Sequence, residues 1–394
     1  MSLRDVTFDE ALELVRSHAV RTEAEAVDLD DLPGRRLAQE IRSRIDVPAF
    51  TNSAMDGFAL RAADAAAGAP LPLAGESRAG APLAGGLPPG AAVRISTGAI
   101  IPDGADAVLR REDAEDLGDR VRPRVAVEPG AHVRHRGEGG RRGDVLLQSG
   151  HRVRAHEVAA IAAVGTARAL CDRRPRVVVL ASGDEVIGPD RPLGPGQVYD
   201  ANRPGVAAQA RAAGADVLAA GLVPDHRAAT VAAIAAALDA PVAPDLLVTT
   251  GGVSVGDHDH LRPAFAELGV REVFFGAQIR PGHPLWLGRR GEQVVLGLPG
   301  NPVSATVCFH AFARPLLGHD DAWDRRMPLA VTHRSKIPRT ELLRCAERDG
   351  ALVPMAHQGS HEVSGLAGAT HLAVVPAEAE VVDAGETVRS LRLT

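Results

Sequence analysis

Residues 176–185 read RVVVLASGDE, and residues 246–259 read LLVTTGGVSVGDHD. Each opens on a continuous apolar run that does not alternate and then breaks into small polar residues and glycine. A strand covered by helices on both faces has this pattern. The sequence between them repeats one grammar. Asn202 stands where a helix cap belongs, with Pro204 in the first turn and Gly214 past the end; Val217 to Ala219 is a second apolar strand. Asp225 can cap an Ala-rich helix through Leu238, and a further helix ends near Gly269. Strands alternating with helices predict a doubly wound, mostly parallel α/β domain over 173–318, closed by Pro315 and Gly318.

The flanking segments have other patterns. Thr7 and Glu10 form a capping signature ahead of Leu12, Leu14 and Val15, which predicts an N-terminal helix. From Asp46 to Gly143 short apolar pieces such as Val93 to Ile95 and Ala107 to Leu109 lie between Gly and Pro clusters, the pattern of a β-rich domain. Its Ala62–Gly90 stretch reads alternatively as a linker, against which the interspersed strand signals count. The chain therefore reads as multidomain α/β: a discontinuous mixed domain (1–45 and 144–172), an inserted β-rich domain (46–143), the α/β domain (173–318) and a small C-terminal β domain (327–394).

With 394 residues the chain exceeds what one core serves. A net charge of -6 and only 3% aromatic residues argue against nucleic acid, which needs a basic footprint and stacking rings. Cys171, Cys308 and Cys345 form no paired framework, the acidic and basic residues of the first turns interrupt any export signal, and no apolar run is long enough to span a membrane. A soluble protein of the cytoplasm is the expectation. Lys336 is the only lysine, so arginine at a basic position says little about changed function.

Ligands of open α/β sheets sit beyond the carboxyl ends of the strands. Three loops there are unusual: Ser182-Gly183-Asp184-Glu185, then Gly251-Gly252 through Ser254 to Asp257 and Asp259, and Gly297-Leu298-Pro299-Gly300-Asn301-Pro302-Val303-Ser304. Glycine loops that run from a strand into a helix present backbone N–H groups to an anion, so phosphate is the natural guest. Asp184, Glu185, Asp225, Asp257 and Asp259 fall on the same predicted rim. Acids beside a phosphate site require a bridging cation, and Mg2+ takes one or two carboxylates together with phosphate oxygens. Taken singly, Asp184, Asp225 and Asp257 also read as helix caps. The turn Arg280-Pro281-Gly282-His283-Pro284 adds one fixed cation and one imidazole. No Walker A loop, GxGxxG or CxxC site is present, which removes support for dinucleotide binding.

These loops resemble the molybdopterin molybdenumtransferase family, the MoeA type shared with the gephyrin E domain. The markers run along the chain: Asn52 to Gly57, Ser96 to Ala99 with Pro102 to Asp106, Ser182 to Glu185, Gly251 to Gly256, Gly297 to Ser304, and Gln358 to His361 with Ser364. The resemblance implies a homodimer whose cleft joins the α/β domain of one subunit to the β domain of the other, Asp56 and Thr97 reaching it in trans. It implies that adenylylated molybdopterin binds on the rim, that molybdate is inserted at the dithiolene, and that AMP is released. Asp56, Glu185, Asp225 and Asp259 become the catalytic candidates, the last three as metal ligands. Thr97, Ser182, Gly183, Asp184, Gly251, Gly252, Ser254, Asp257, Arg280, His283, Pro299, Asn301, Pro302 and Ser304 become the substrate-binding candidates, with Arg344 and Ser360 for molybdate. The pterin adenylyltransferase and recipient molybdoenzymes are the implied partners.

Two departures stand out. Gly139 replaces the aspartate of the family's Gly-Glu-Asp, and Arg280 and His283 replace the two lysines of its Lys-Pro-Gly-Lys-Pro. They motivate an alternative expectation, a slower or specialised relative that carries the pterin nucleotide or cofactor, or that prefers tungstate. The neighbouring adenylylation step and a gephyrin-like scaffold role fit the chain length and domain content less well.

Overall fold

The computed structural model describes residues 3–65, 68–252, 260–319, 323, 325–335 and 338–393. The chain divides into two compact units, Ala24–Asp172 and a larger one made of Met1–Glu23 with Arg173–Thr394.

The larger unit is built on a seven-stranded sheet. Its strands are β1 (Leu3–Val6), β2 (Arg176–Ser182), β3 (Asp216–Val223), β4 (Leu246–Thr250), β5 (Arg271–Ala277), β6 (Trp286–Arg290) and β7 (Gln293–Leu298), in the spatial order β1-β5-β6-β7-β4-β2-β3. Only the pairings of β6 with β5 and β7 are antiparallel. This is the mostly parallel sheet the apolar runs predict. Val177 and Val179, Leu246 and Val248, and Val294 and Leu296 share one core with Val206, Ala207 and Ala210 of helix α2 (Asn202–Ala212). Their neighbours Val178, Leu247 and Val295 face the other way, against Ile234 and Leu238 of α3 (Arg227–Leu238) and Phe265 of α4 (Leu261–Glu267). Two buried faces explain the absence of alternation, and each such side chain contributes on the order of 2 kcal/mol on burial.

Residues 3–23 belong to the larger unit rather than to the block formed with 144–172, which corrects the expected 1–45 segment. Strand β1 pairs in parallel with β5, and α1 (Phe8–Ser17) carries the Thr7–Glu10 capping box and packs Phe8 edge-on to Phe312 and Trp323. A four-residue edge strand leaves too little pattern to be seen in sequence. Residues 24–45 do meet 144–172: Ala24–Asp28 pairs with Arg168–Asp172, and Ile41–Arg42 with Val145–Leu147.

Two helix starts also differ from expectation. Ala201, not Asn202, occupies the cap position of α2, and the Asp200 carboxylate accepts the Arg203 backbone N–H at 2.9 Å. His226, not Asp225, caps α3, its Nδ1 accepting from the Ala229 N–H at 3.3 Å.

The C-terminal segment forms a six-stranded sheet around β8 (Thr340–Arg348), which pairs with His371–Val375 and Ala351–Pro354 and, in parallel, with Ile279–Arg280 just after β5. In the smaller unit Gly57–Leu60 lies between Ala92–Ile95 and Ala107–Arg110 in a second six-stranded sheet. Leu71–Ser77 pairs with Ala92–Ile95 in that sheet, so the Ala62–Gly90 stretch is part of the domain and not a linker. No described helix is long and apolar enough to cross a membrane.

Candidate functional site

The carboxyl ends of β2, β4 and β7 lie side by side because these strands pair in register, Ala181 with Thr250 and Thr250 with Leu298. Their loops converge. A side chain at Gly251, where φ is +82°, would meet the Ser182 carbonyl at 2.9 Å, so only glycine lets the two loops touch. Gly300 packs against Gly251 in turn. Above them opens a cleft of about 1040 Å3 within the larger unit. That volume suits a nucleotide-sized ligand.

Most rim candidates line this cleft. Ser182, Gly183, Gly251 and Gly252 form its floor with Pro299, Asn301, Pro302 and the buried Ser304. Glu185 and Asp225 line it as well, as do Arg280, His283 and Ser360. Asp184 does not line it. It sits behind, its Oδ1 accepting the Asp225 backbone N–H at 2.9 Å, and so fixes where Asp225 stands. Ser254, Asp257 and Asp259 lie outside the described residues.

Neither the Glu185 nor the Asp225 side chain has a hydrogen-bond or ion-pair partner among the described residues. Two carboxylates open to a phosphate-sized space are a hard oxygen donor set, which fits Mg2+ held jointly with phosphate oxygens. Among the described residues no three metal-ligating side chains cluster, and Glu185 and Asp225 are the described part of such a site.

The cationic turn is less open than its sequence suggests. Arg280 Nη1 donates to Glu341 Oε1 at 2.9 Å, and His333 Nε2 lies 2.6 Å from Glu341 Oε2, which ties Arg280 to β8. His283 Nε2 lies 3.0 Å from Asp5 Oδ1, so strand β1 supplies an acid to the imidazole. Gly282, at φ +114°, seats the turn against helix α5 (Pro302–Cys308), since a Cβ there would lie 2.3 Å from Cys308 Sγ.

Arg344, on β8, lies wholly buried beneath the cleft rather than on its wall. Its Nη2 donates to the carbonyls of His357 at 2.7 Å and Gly359 at 3.3 Å, while Nε and Nη1 have no partner among the described residues. Burial pushes its pKa below the ordinary arginine value, with Glu362 acting the other way. The residues above it, Gln358 to His361, line the cleft, and Ser360 Oγ accepts from Asn301 Nδ2 at 3.1 Å. A buried guanidinium with two idle donor groups has unmet demand for an anion.

Asp56 and Thr97 belong to the smaller unit, where Asp56 Oδ1 accepts the Thr97 backbone N–H at 2.6 Å and its hydroxyl at 2.8 Å. The Thr97 N–H, then its hydroxyl, hold this exposed carboxyl below the usual range. Gly139 in the same unit donates its N–H to the Val47 carbonyl at 2.9 Å, and a Cβ there would stand 3.2 Å from that oxygen, so a larger residue fits with a small shift.

Sequence reasoning missed three cleft residues. Asn202, read as a cap, instead donates from Nδ2 to the Gly300 carbonyl at 2.6 Å. Tyr199, the chain's one tyrosine, lies half-exposed on the wall, and its rarity was the available signal. Arg339 is an exposed cation with no acidic partner among the described residues, and nothing in its sequence context marked it.

The chain matches three family models in succession: the MoeA N-terminal region (domain I and II) over residues 6–165, a probable molybdopterin binding domain over 178–319, and the MoeA C-terminal region (domain IV) over 326–393. It is 34% identical to the molybdopterin molybdenumtransferase of Haemophilus influenzae, covering 93% of each chain, and 33% identical to that of Bacillus subtilis, covering 98% of this chain and 94% of the other. The crystal structure of the molybdopterin biosynthesis MoeA protein from Pyrococcus horikosii superposes over 99% of both chains with a TM-score of 0.83 at 30% identity.

Proposed function

The chain belongs to the molybdopterin molybdenumtransferase family, and on that premise we propose that it inserts molybdate into adenylylated molybdopterin with release of AMP. The observation that carries the reading is the convergence on one cleft of the glycine loops, the Glu185 and Asp225 carboxylates and the Gln358–His361 collar over Arg344.

In this reading the pyrophosphate lies on the loops at Ser182, Gly183, Gly251, Gly252, Pro299, Asn301, Pro302 and Ser304, and Ser254 and Asp257, outside the described residues, belong to the same proposed substrate-binding set. Backbone N–H groups there hold anionic oxygens without side-chain obstruction. Glu185 and Asp225, with Asp259, would hold Mg2+. Bound there, the ion supplies charge stabilisation to the phosphoanhydride as its P–O bond breaks. Asp184 holds Asp225 in place through the backbone. Arg280 and His283, which line the same cleft, orient the phosphates, each restrained by its own acid. Arg344 and Ser360 receive molybdate. Two Mo–S bonds form as the dithiol gives up two protons, which leave with one molybdate oxygen as water, and a second water completes AMP when the anhydride is cleaved.

The same proposal extends to a cytoplasmic homodimer in which Asp56 and Thr97 of the second subunit, held together by their hydrogen bonds, complete the cleft. The pterin adenylyltransferase would supply the substrate, and cofactor-free molybdoenzymes would receive the product.

Purified protein incubated with adenylylated molybdopterin, Mg2+ and molybdate should release AMP and reconstitute a cofactor-free molybdoenzyme, and Glu185→Ala should lose both signals. Tight nucleotide binding with no AMP under varied metal and oxyanion would make the chain a carrier instead.

A further inference from the structure

The guanidinium of Arg344 is walled by backbone. Its Nη2 is taken by the His357 and Gly359 carbonyls, and a Cβ on Gly365 would stand 3.2 Å from its Nε. No carboxylate among the described residues comes within ion-pair distance, and Glu362 is the nearby acid whose charge acts on it. Glu362 is placed at the collar. Its Oε2 accepts the Gly359 backbone N–H at 2.5 Å, and its Oε1 lies 3.3 Å from His357 Nδ1. His357 and Gly359 are the two residues whose carbonyls hold Arg344. The carboxylate therefore occupies, with its two oxygens, the Gly359 N–H and the His357 ring nitrogen, polar groups on the same two residues that hold Arg344. It is one-third exposed, so swinging out into water costs little.

We propose that Glu362 is a built-in competitor for the Arg344 pocket, a carboxylate that holds the 357–362 collar closed until an oxyanion displaces it. The proposal rests on the reading of Arg344 as an oxyanion site. A resident anion lowers the apparent affinity of the pocket in proportion to the fraction of time it sits there. It also sets a charge threshold: a dianion such as molybdate or sulfate draws more from the buried guanidinium than the single carboxylate does, whereas a monoanion gains no such advantage. Glu362 thus acts through the collar and does not touch the reacting atoms, which makes it a positioning and specificity residue.

The test is titration calorimetry of the full chain with molybdate alone and with sulfate alone at low ionic strength. Glu362→Gln, which keeps an acceptor for the Gly359 N–H but loses the charge, should bind both dianions about five- to tenfold tighter, the gain shrinking as salt is added. Glu362→Ala should tighten binding as well and serves as the reading if the glutamine variant does not fold. Unchanged or weaker binding in both variants would overturn the competitor and leave Glu362 a simple loop brace. Arg344→Met, or Arg344→Lys if the first does not fold, separates the two levels. Binding that survives there refutes Arg344 as the oxyanion site; binding lost there but insensitive to Glu362 refutes only the competitor. No binding in wild type or in either Glu362 variant overturns both.

Discussion

The side-chain amide of Asn202 donates to the carbonyl of Gly300 across 2.6 Å, bridging the start of α2 and the glycine loop after β7. The two residues are 98 positions apart, and the bond ties together loops from the β2 and β7 sides of the cleft. A hydrogen bond of this kind contributes about 1 kcal/mol. Asn202→Ala should therefore lower the melting temperature only slightly, while the affinity for adenylylated molybdopterin drops about tenfold because the Gly300 loop is no longer fixed. Thermal unfolding alongside nucleotide titration checks this; a large loss of stability with unchanged affinity would make Asn202 purely structural.

Glu185 and Asp225 carry the proposed metal. Glu185→Gln and Asp225→Asn keep shape and remove charge, so each should slow AMP release by about a hundredfold or more and raise the Mg2+ concentration needed for half-maximal rate. Asp184→Asn, which retains an acceptor for the Asp225 N–H, should have a much smaller effect. A metal titration of AMP release for the three variants separates ligand from support.

All three cysteines are reduced and buried. Burial pushes the Cys345 thiol up to about 12, and it raises Cys171 and, further still, Cys308. Thiolate is the reactive form, so native protein should give no reaction with a thiol reagent at neutral pH and three equivalents after unfolding in denaturant. Rapid labelling of Cys308 in the native state would show that the contact between Gly282 and α5 opens.

The side chain of His371 is fully buried in the C-terminal sheet, 3.5 Å from Glu347. Burial holds its imidazole below the ordinary histidine value, with Glu347 pulling the other way. The unfolded chain then takes up the proton first, so this residue's contribution is intact above about pH 6.5 and is lost as pH falls through the lower folded value. His371→Leu should therefore gain on wild type in melting temperature between about pH 8 and pH 5.5, by roughly 2 °C. A difference between variant and wild type that stays constant with pH would locate the acid sensitivity elsewhere.

The sheet and its ligand-bearing rim were legible in the sequence. The apolar runs that open 176–185 and 246–259 read as strands buried on both faces, and glycine loops after such strands open at their carboxyl ends, where Ser182, Gly251 and Asn301 lie. The tertiary structure alone decided which side chains are available there. Arg280 is tied to Glu341 from a strand 61 positions on, and His283 to Asp5 from 278 positions back. Asn202 and Asp225 gave up their expected capping roles because Asp200 and His226 took them, and Arg344, one unremarkable arginine among many, became a buried cation with idle donors. Local periodicity records burial, which is a property of the segment. Pairing and desolvation depend on partners brought in from distant parts of the chain, and no window of sequence contains them.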